Sequence, residues 1–97
     1  MRTEVLELVS LGRLPEDATA TLPEVQSFEI ALQKIKPPVS NEEALALLSV
    51  LPVGQASCFG LAWSIVHLVE TATGWPLPQA RVQTANPWVR SMLERAE

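Results

Sequence analysis

The chain predicts an all-α fold, a compact bundle of four to five short helices around a central helix at about residues 58–73. Three observations predict it. Apolar residues recur at spacings of three and four. Eight prolines and several helix-cap residues divide the 97 residues into short segments. No stretch shows the apolar–polar alternation of a half-buried strand.

The first helix is expected over residues 2–12, with Val5, Leu6, Val9 and Leu8 inward and Gly12 near its end. Residues 13–21 connect it to a second. Thr21-Leu22-Pro23-Glu24 reads as a helix start, because a threonine cap, an early proline and an acid three residues on form a capping box. Val25, Phe28, Leu32 and Ile35 then define one buried stripe. Pro37-Pro38 ends that helix, since a proline forces the residue before it out of helical geometry. Ser40-Asn41-Glu42-Glu43 is a second capping box and starts a helix over about 41–51, with Leu45, Leu48 and Leu51 as its buried side.

The central helix has Ser57 as its cap, and Gly74 is expected to supply the left-handed residue that stops it. Phe59, Ala62, Trp63, Val66 and Val69 line one side, and Leu61, Ile65, Leu68 and Ala72 line another. Apolar most of the way round, it reads as a helix surrounded by others. Trp75-Pro76-Leu77-Pro78 is an extended corner, Arg81-Val82-Gln83-Thr84 a short extended segment, and Asn86-Pro87 the cap and first turn of a last helix over 87–96.

Length and composition suit one soluble domain spanning 1–97. At 47% hydrophobic and 19% charged, the chain can bury a core, which excludes a disordered segment. Its net charge of −4 is uneven. Residues 1–48 carry eight acids against four bases, whereas residues 49–97 are neutral. An acidic front half disfavours nucleic acid and anionic membrane, both of which need clustered bases, and suits a basic protein partner. The acids of that face are Glu24, Glu29, Glu42 and Glu43. No secretory leader is recognisable, and the apolar run from Cys58 to Val69 is shorter than the roughly 20 residues of a membrane span. The expected setting is cytoplasmic.

Chemistry-bearing residues are few. A lone cysteine excludes an internal disulfide, and with a lone histidine it cannot build a Cys/His zinc site. The four glycines are scattered, so no loop cradles phosphate and no cofactor is implied. Ser64, His67, Glu70 and Thr71 form a polar seam on the central helix. Its Ser-His-acid order suggests a triad. Residues stepping along one helix do not place a base between nucleophile and acid, however, so the seam reads as structural, with His67 partly buried and bonded to a neighbour. His67-Leu68-Val69-Glu70 supplies two metal ligands at most. Cys58 and His67 point to opposite sides of the helix, so they form no dyad, and Cys58 is expected to be a buried thiol in the first turn. Trp63 is assigned to the core. Trp75 and Trp88 suit either core or interface.

The segment Ser57–Pro76, with Asn86-Pro87-Trp88, resembles small uncharacterised bacterial proteins, some regarded as immunity partners of secreted toxins. The resemblance implies a bacterial binding protein. Three functions follow in order: a small non-catalytic interaction protein, immunity-type, masking a basic toxin surface; a self-associating accessory protein burying Trp75, Trp88 and Leu93 between copies; and a ligand binder or enzyme at Ser64, His67 and Glu70.

Overall fold

A computed structural model describes residues 1–16, 18–52, 54, 60–83 and 85–96, with residues 82 and 83 described by their backbone alone. The described residues form five α-helices and one 3₁₀ helix, with no strand among them. The all-α expectation holds.

The first helix, α1 (Thr3–Ser10), buries Val5 and Leu8 and half-buries Val9, which share one face at spacings of three and four. Leu6 lies about 100° from Val5 on the helix and is exposed, so its expected inward place is corrected. Gly12 closes the helix with φ +87°, a conformation costly to any residue with a Cβ, and its N–H donates to the Val9 carbonyl at 3.0 Å.

Both capping boxes form as the spacing predicts. At the start of α2 (Leu22–Gln33), Thr21 Oγ1 accepts from the Glu24 N–H at 3.3 Å, and the Glu24 carboxylate accepts from the Thr21 N–H at 3.2 Å. Its stripe of Phe28 and Leu32 continues into Ile35, all buried, with Val25 half-buried. At α3 (Asn41–Leu48), Ser40 Oγ accepts from the Glu43 N–H at 3.0 Å, and Glu43 accepts from the Ser40 N–H at 2.9 Å. Each box satisfies two helix-end groups that would otherwise rely on water. Leu48 is buried within α3, Leu51 is buried just beyond it, and Leu45 is half-buried.

Glu43 also crosses between elements. Its carboxylate takes the backbone N–H of Arg2 at 3.1 Å, Nε at 3.0 Å and Nη2 at 3.2 Å. The same guanidinium donates to the Lys36 carbonyl at 2.8 Å and the Pro38 carbonyl at 3.4 Å. One fork thereby ties the start of α1 to the α2–α3 linker and the first turn of α3. The Arg2 hydrogen bonds hold the Glu43 carboxyl at about 2, against an ordinary value of 4.5.

The central helix, α4 (Leu61–Glu70), buries Leu61, Ala62, Ile65, Val66 and Val69, with Ala72 buried just past its end. Gly60 stands at its N-cap position with φ +88°. The start expected at residue 58, the Ser57 cap, and the placements of Cys58 and Phe59 lie outside the described residues. At the other end a second correction is needed. The helix closes through Thr71, and Gly74 does not adopt a left-handed conformation. The missing Cβ of Gly74 has a different use, since the Asn41 side chain fills its place. A Cβ there would lie 2.5 Å from Asn41 Nδ2, and the Gly74 N–H donates to Asn41 Oδ1 at 2.9 Å. The end of α4 thus seats directly on the first residue of α3. The Val39 N–H donates to Thr71 Oγ1 at 3.0 Å beside it.

Residues 78–83, expected in part to be extended, instead wind into the 3₁₀ helix (Pro78–Gln83), which leads to α5 (Pro87–Ala96). The proline supplies a helical φ at the first position, and Ala80 is buried against the core. One buried cluster runs through all five α-helices, from Val5 and Leu8 to Val89, Met92 and Leu93. No helix among the described residues is long and apolar enough to cross a membrane.

Glu43→Gln should lower unfolding free energy by about 2–3 kcal/mol at neutral pH, because charge-assisted bonds are lost while Arg2 keeps its charge. A depressed carboxyl stabilises the fold above its unfolded value and loses that contribution as protons bind to the folded state. The native chain should therefore lose stability as pH falls from about 4.5 through about 2. The gap between it and Glu43→Gln should close over the same range in urea titrations. Gly74→Ala should cost about 0.5–1.5 kcal/mol, from the displaced Asn41 bond. Combined with Asn41→Ala, it should cost less than the sum of the two single changes.

Candidate functional site

The polar seam does not assemble. Glu70 turns away from His67 and pairs with Arg95 of α5, Oε2 to Nη2 at 3.1 Å. Ser64 and His67 are exposed, so the expected part-burial of His67 is corrected. Among the described residues His67 makes no hydrogen bond to Ser64 or Glu70, and it is not part of the cleft lined by Trp63. Among the described residues no group of three or more His, Cys, Asp and Glu could hold a metal ion.

The four acids of the expected partner face divide. Glu24, Glu29 and Glu42 are exposed, whereas Glu43 is buried at 4% exposure and committed to Arg2. Glu43 is therefore removed from that face. A buried carboxylate must find donors within the protein, and here four N–H groups surround it.

The tryptophans are distributed differently from expectation. Trp63, assigned to the core, is 47% exposed. The buried stripe of α4 is centred between Ala62 and Ile65, and Trp63 lies more than about 130° round the helix from that centre. It shares the outer face with His67. The helix is consequently not apolar on every side, and its outer face meets solvent. Trp88 is buried at 7%, and Leu93 is buried with it. Neither offers the surface that self-association through Trp75, Trp88 and Leu93 would need. Trp75 is half-buried against the core, and its buried indole N–H has no acceptor among the described residues.

Trp63 and Trp88 meet edge to face, with ring centroids 4.9 Å apart and planes at 84°. Local chemistry places Trp88 closely. The Asn86 side chain caps α5, accepting from the Trp88 N–H at 2.9 Å and the Val89 N–H at 3.4 Å. Its amide donates to the Pro52 carbonyl at 3.1 Å, and Trp88 Nε1 donates to the Gly54 carbonyl at 2.9 Å. With both polar handles used, Trp88 is a fixed wall against which Trp63 stands. Trp63, Pro87, Trp88 and Ser91 line a shallow cleft of about 190 Å³ between α4 and α5. At the far end of the same two helices, the Glu70–Arg95 pair bridges them.

No family model, no curated protein and no solved structure matches this chain. The site is therefore read from its own geometry. It presents a half-exposed indole in an uncharged cleft, on a protein whose net negative charge is concentrated on α1, α2 and α3. An edge-to-face pair is worth about 0.5–1.5 kcal/mol beyond its buried area. Its geometric effect is to set the Trp63 ring nearly perpendicular to the Trp88 ring.

Trp88→Ala should cost about 3–5 kcal/mol, as expected for truncating a buried aromatic, whereas Trp63→Ala should cost about 1 kcal/mol, mostly the ring pair. Thermal unfolding followed by far-ultraviolet circular dichroism distinguishes the two. Similar losses would place Trp63 in the core.

Proposed function

We propose that this chain is a small non-catalytic protein-binding protein whose partner is basic, in the manner of an immunity-type neutraliser acting in the cytoplasm. The observation that carries the reading is Trp63. A large side chain held half-exposed against a fixed neighbour loses little freedom on binding, and tryptophan is the residue most enriched at binding hot spots. Pro87 and Ser91 beside it complete an uncharged cleft, suited to the centre of an interface.

Glu24 and Glu29 on α2 and Glu42 on α3 supply the second component. They are exposed, and together with Glu4, Glu7 and Glu16 they concentrate negative charge on the front half of the chain. Charge of this kind steers encounter and selects a complementary partner more than it sets the strength of the docked complex. A toxin with a basic active surface is a partner of this class. The resemblance of Ser57–Pro76 and Asn86–Trp88 to immunity-type proteins supports the same reading.

The two components separate experimentally with a partner protein recovered from the native cell. Lysine at Glu24, Glu29 and Glu42 together should slow association at least tenfold at low salt, with the difference shrinking as salt is added. Trp63→Ala should instead speed dissociation, with a loss of about 2 kcal/mol or more. Binding unchanged by both sets of variants, measured by surface plasmon resonance, would defeat the reading.

A further inference from the structure

The Trp63 cleft lies where α4 and α5 both begin. Trp63 is the third residue of α4, and Pro87 and Trp88 are the first two of α5, while the Glu70–Arg95 pair joins the same helices at their other ends. The positive ends of two helix dipoles therefore lie beside the cleft. Its four lining residues, Trp63, Pro87, Trp88 and Ser91, carry no charge. The charges that flank Ser91 on α5, Arg90, Glu94 and Arg95, leave no negative excess around it. Among the described residues the Trp63 indole N–H and the Ser91 hydroxyl make no hydrogen bond, whereas Trp88 Nε1 donates to the Gly54 carbonyl at 2.9 Å. The side chains of the cleft thus present two unused donors, two indole rings and no carboxylate.

We infer, resting on the protein-binding reading of this cleft, that its occupant is a neutral, proline-bearing segment of the partner, extended as a polyproline II strand. The volume, about 190 Å³, falls below the roughly 300–1,000 Å³ of a pocket that encloses a free small molecule, and suits one part of a longer chain. Charge decides between a cationic side chain and a neutral one. Lysine or arginine would bring a positive charge and further N–H donors to a cleft that already holds donors and two helix N-termini. Only the indole face would attract it. A polyproline II strand brings the opposite set. Its backbone carbonyls have no internal partner, and a proline has no N–H to satisfy. The Trp63 N–H and the Ser91 hydroxyl can each donate to such a carbonyl, and a proline ring packs on an indole, as in aromatic grooves that receive these strands. A segment without proline would carry N–H groups for which the lining side chains provide only the Ser91 oxygen as acceptor.

The two regions of the surface then make separate demands on one partner. Glu24, Glu29 and Glu42 on α2 and α3 respond to its basic character, and the start of α4 and α5 responds to its proline segment. Four lining residues touch far less than the roughly 800 Å² per partner of a stable complex, so an isolated proline peptide should bind with a Kd on the order of 1 mM.

Nuclear magnetic resonance tests this with acetylated, amidated hexaproline as the probe. The three tryptophans give three indole N–H signals, and Trp63→Phe identifies that of Trp63. Hexaproline added to about 5 mM should move the Trp63 signal saturably and leave that of Trp75 in place. Read on the backbone N–H of Ser91, Trp63→Ala should weaken the binding at least tenfold, and Ser91→Ala should weaken it about threefold. A six-residue Ala-Gly peptide and hexa-arginine, capped in the same way, should leave the Trp63 signal where it is. A signal unmoved by hexaproline, or moved equally by either of the other peptides, would overturn the inference. The protein-binding reading would still stand in that case if Trp63→Ala speeds dissociation of the partner recovered from the native cell. Conversely, saturable hexaproline binding with a partner indifferent to Trp63→Ala would defeat that reading and keep the preference of the cleft for proline.

Discussion

The Glu43 carboxylate is where three separate requirements of this fold meet. It closes the capping box of α3, it takes three N–H groups of Arg2, and through Arg2 it holds the carbonyls of Lys36 and Pro38. A carboxylate at 4% exposure would be expelled from the interior if left unpaired. Its position is tolerable only while α1 begins where it does and the α2–α3 linker turns as it does. The hydrophobic cluster supplies the bulk of the stability. This hydrogen-bonded hub orients the first three helices relative to one another, so that their apolar stripes face a common centre.

A second set of polar contacts works the same way on the C-terminal half. Four described carbonyls after α3 find their donors outside that helix. Val50 accepts from the Leu14 N–H at 2.8 Å, Leu51 from Arg13 at 2.6 Å, Pro52 from Asn86 and Gly54 from Trp88. Buried backbone groups need partners, and here they recruit a backbone N–H and three side chains from both ends of the chain. The result fixes α5 and the Trp88 ring, and the Trp88 ring in turn orients Trp63. The exposed anchor of the proposed interface is thus positioned by backbone accounting several residues away. Its exposure has a plain cause. The core needs one side of α4 only, and α5, whose Val89, Met92 and Leu93 join that core, reaches the margin of the outer side through a ring pair and an ion pair.

Elements governed by neighbours in the chain were legible. Thr21-Leu22-Pro23-Glu24 and Ser40-Asn41-Glu42-Glu43 form both capping boxes and Asn86-Pro87 opens α5, because each depends on contacts within four residues, and the helical spacing of Phe28, Leu32 and Ile35 puts them on the one face that is buried. The errors cluster where a distant segment intervenes. Apolar character and helical spacing both point Leu6 and Trp63 inward, but which side of a nearly apolar helix is buried depends on where its neighbours lie. The capping box singles out Glu43 from its neighbour Glu42, but nothing local says that Glu43 is buried. One is buried and the other exposed because Arg2, 41 positions earlier, returns to the same place. Gly74 looked like a helix stop, yet its missing Cβ makes room for Asn41. For Trp63 a signal was present, since His67 lies one turn further on the same side.

By itself, then, the sequence determined the helical class, the approximate ends of most helices and the acidic bias of the front half. Each of these depends on local hydrogen bonding, on proline geometry or on charge, which need no knowledge of the fold. Only the tertiary structure decided which acid is available to a partner and which tryptophan meets solvent. Those outcomes depend on burial, and burial is a property of the surfaces that distant segments bring together.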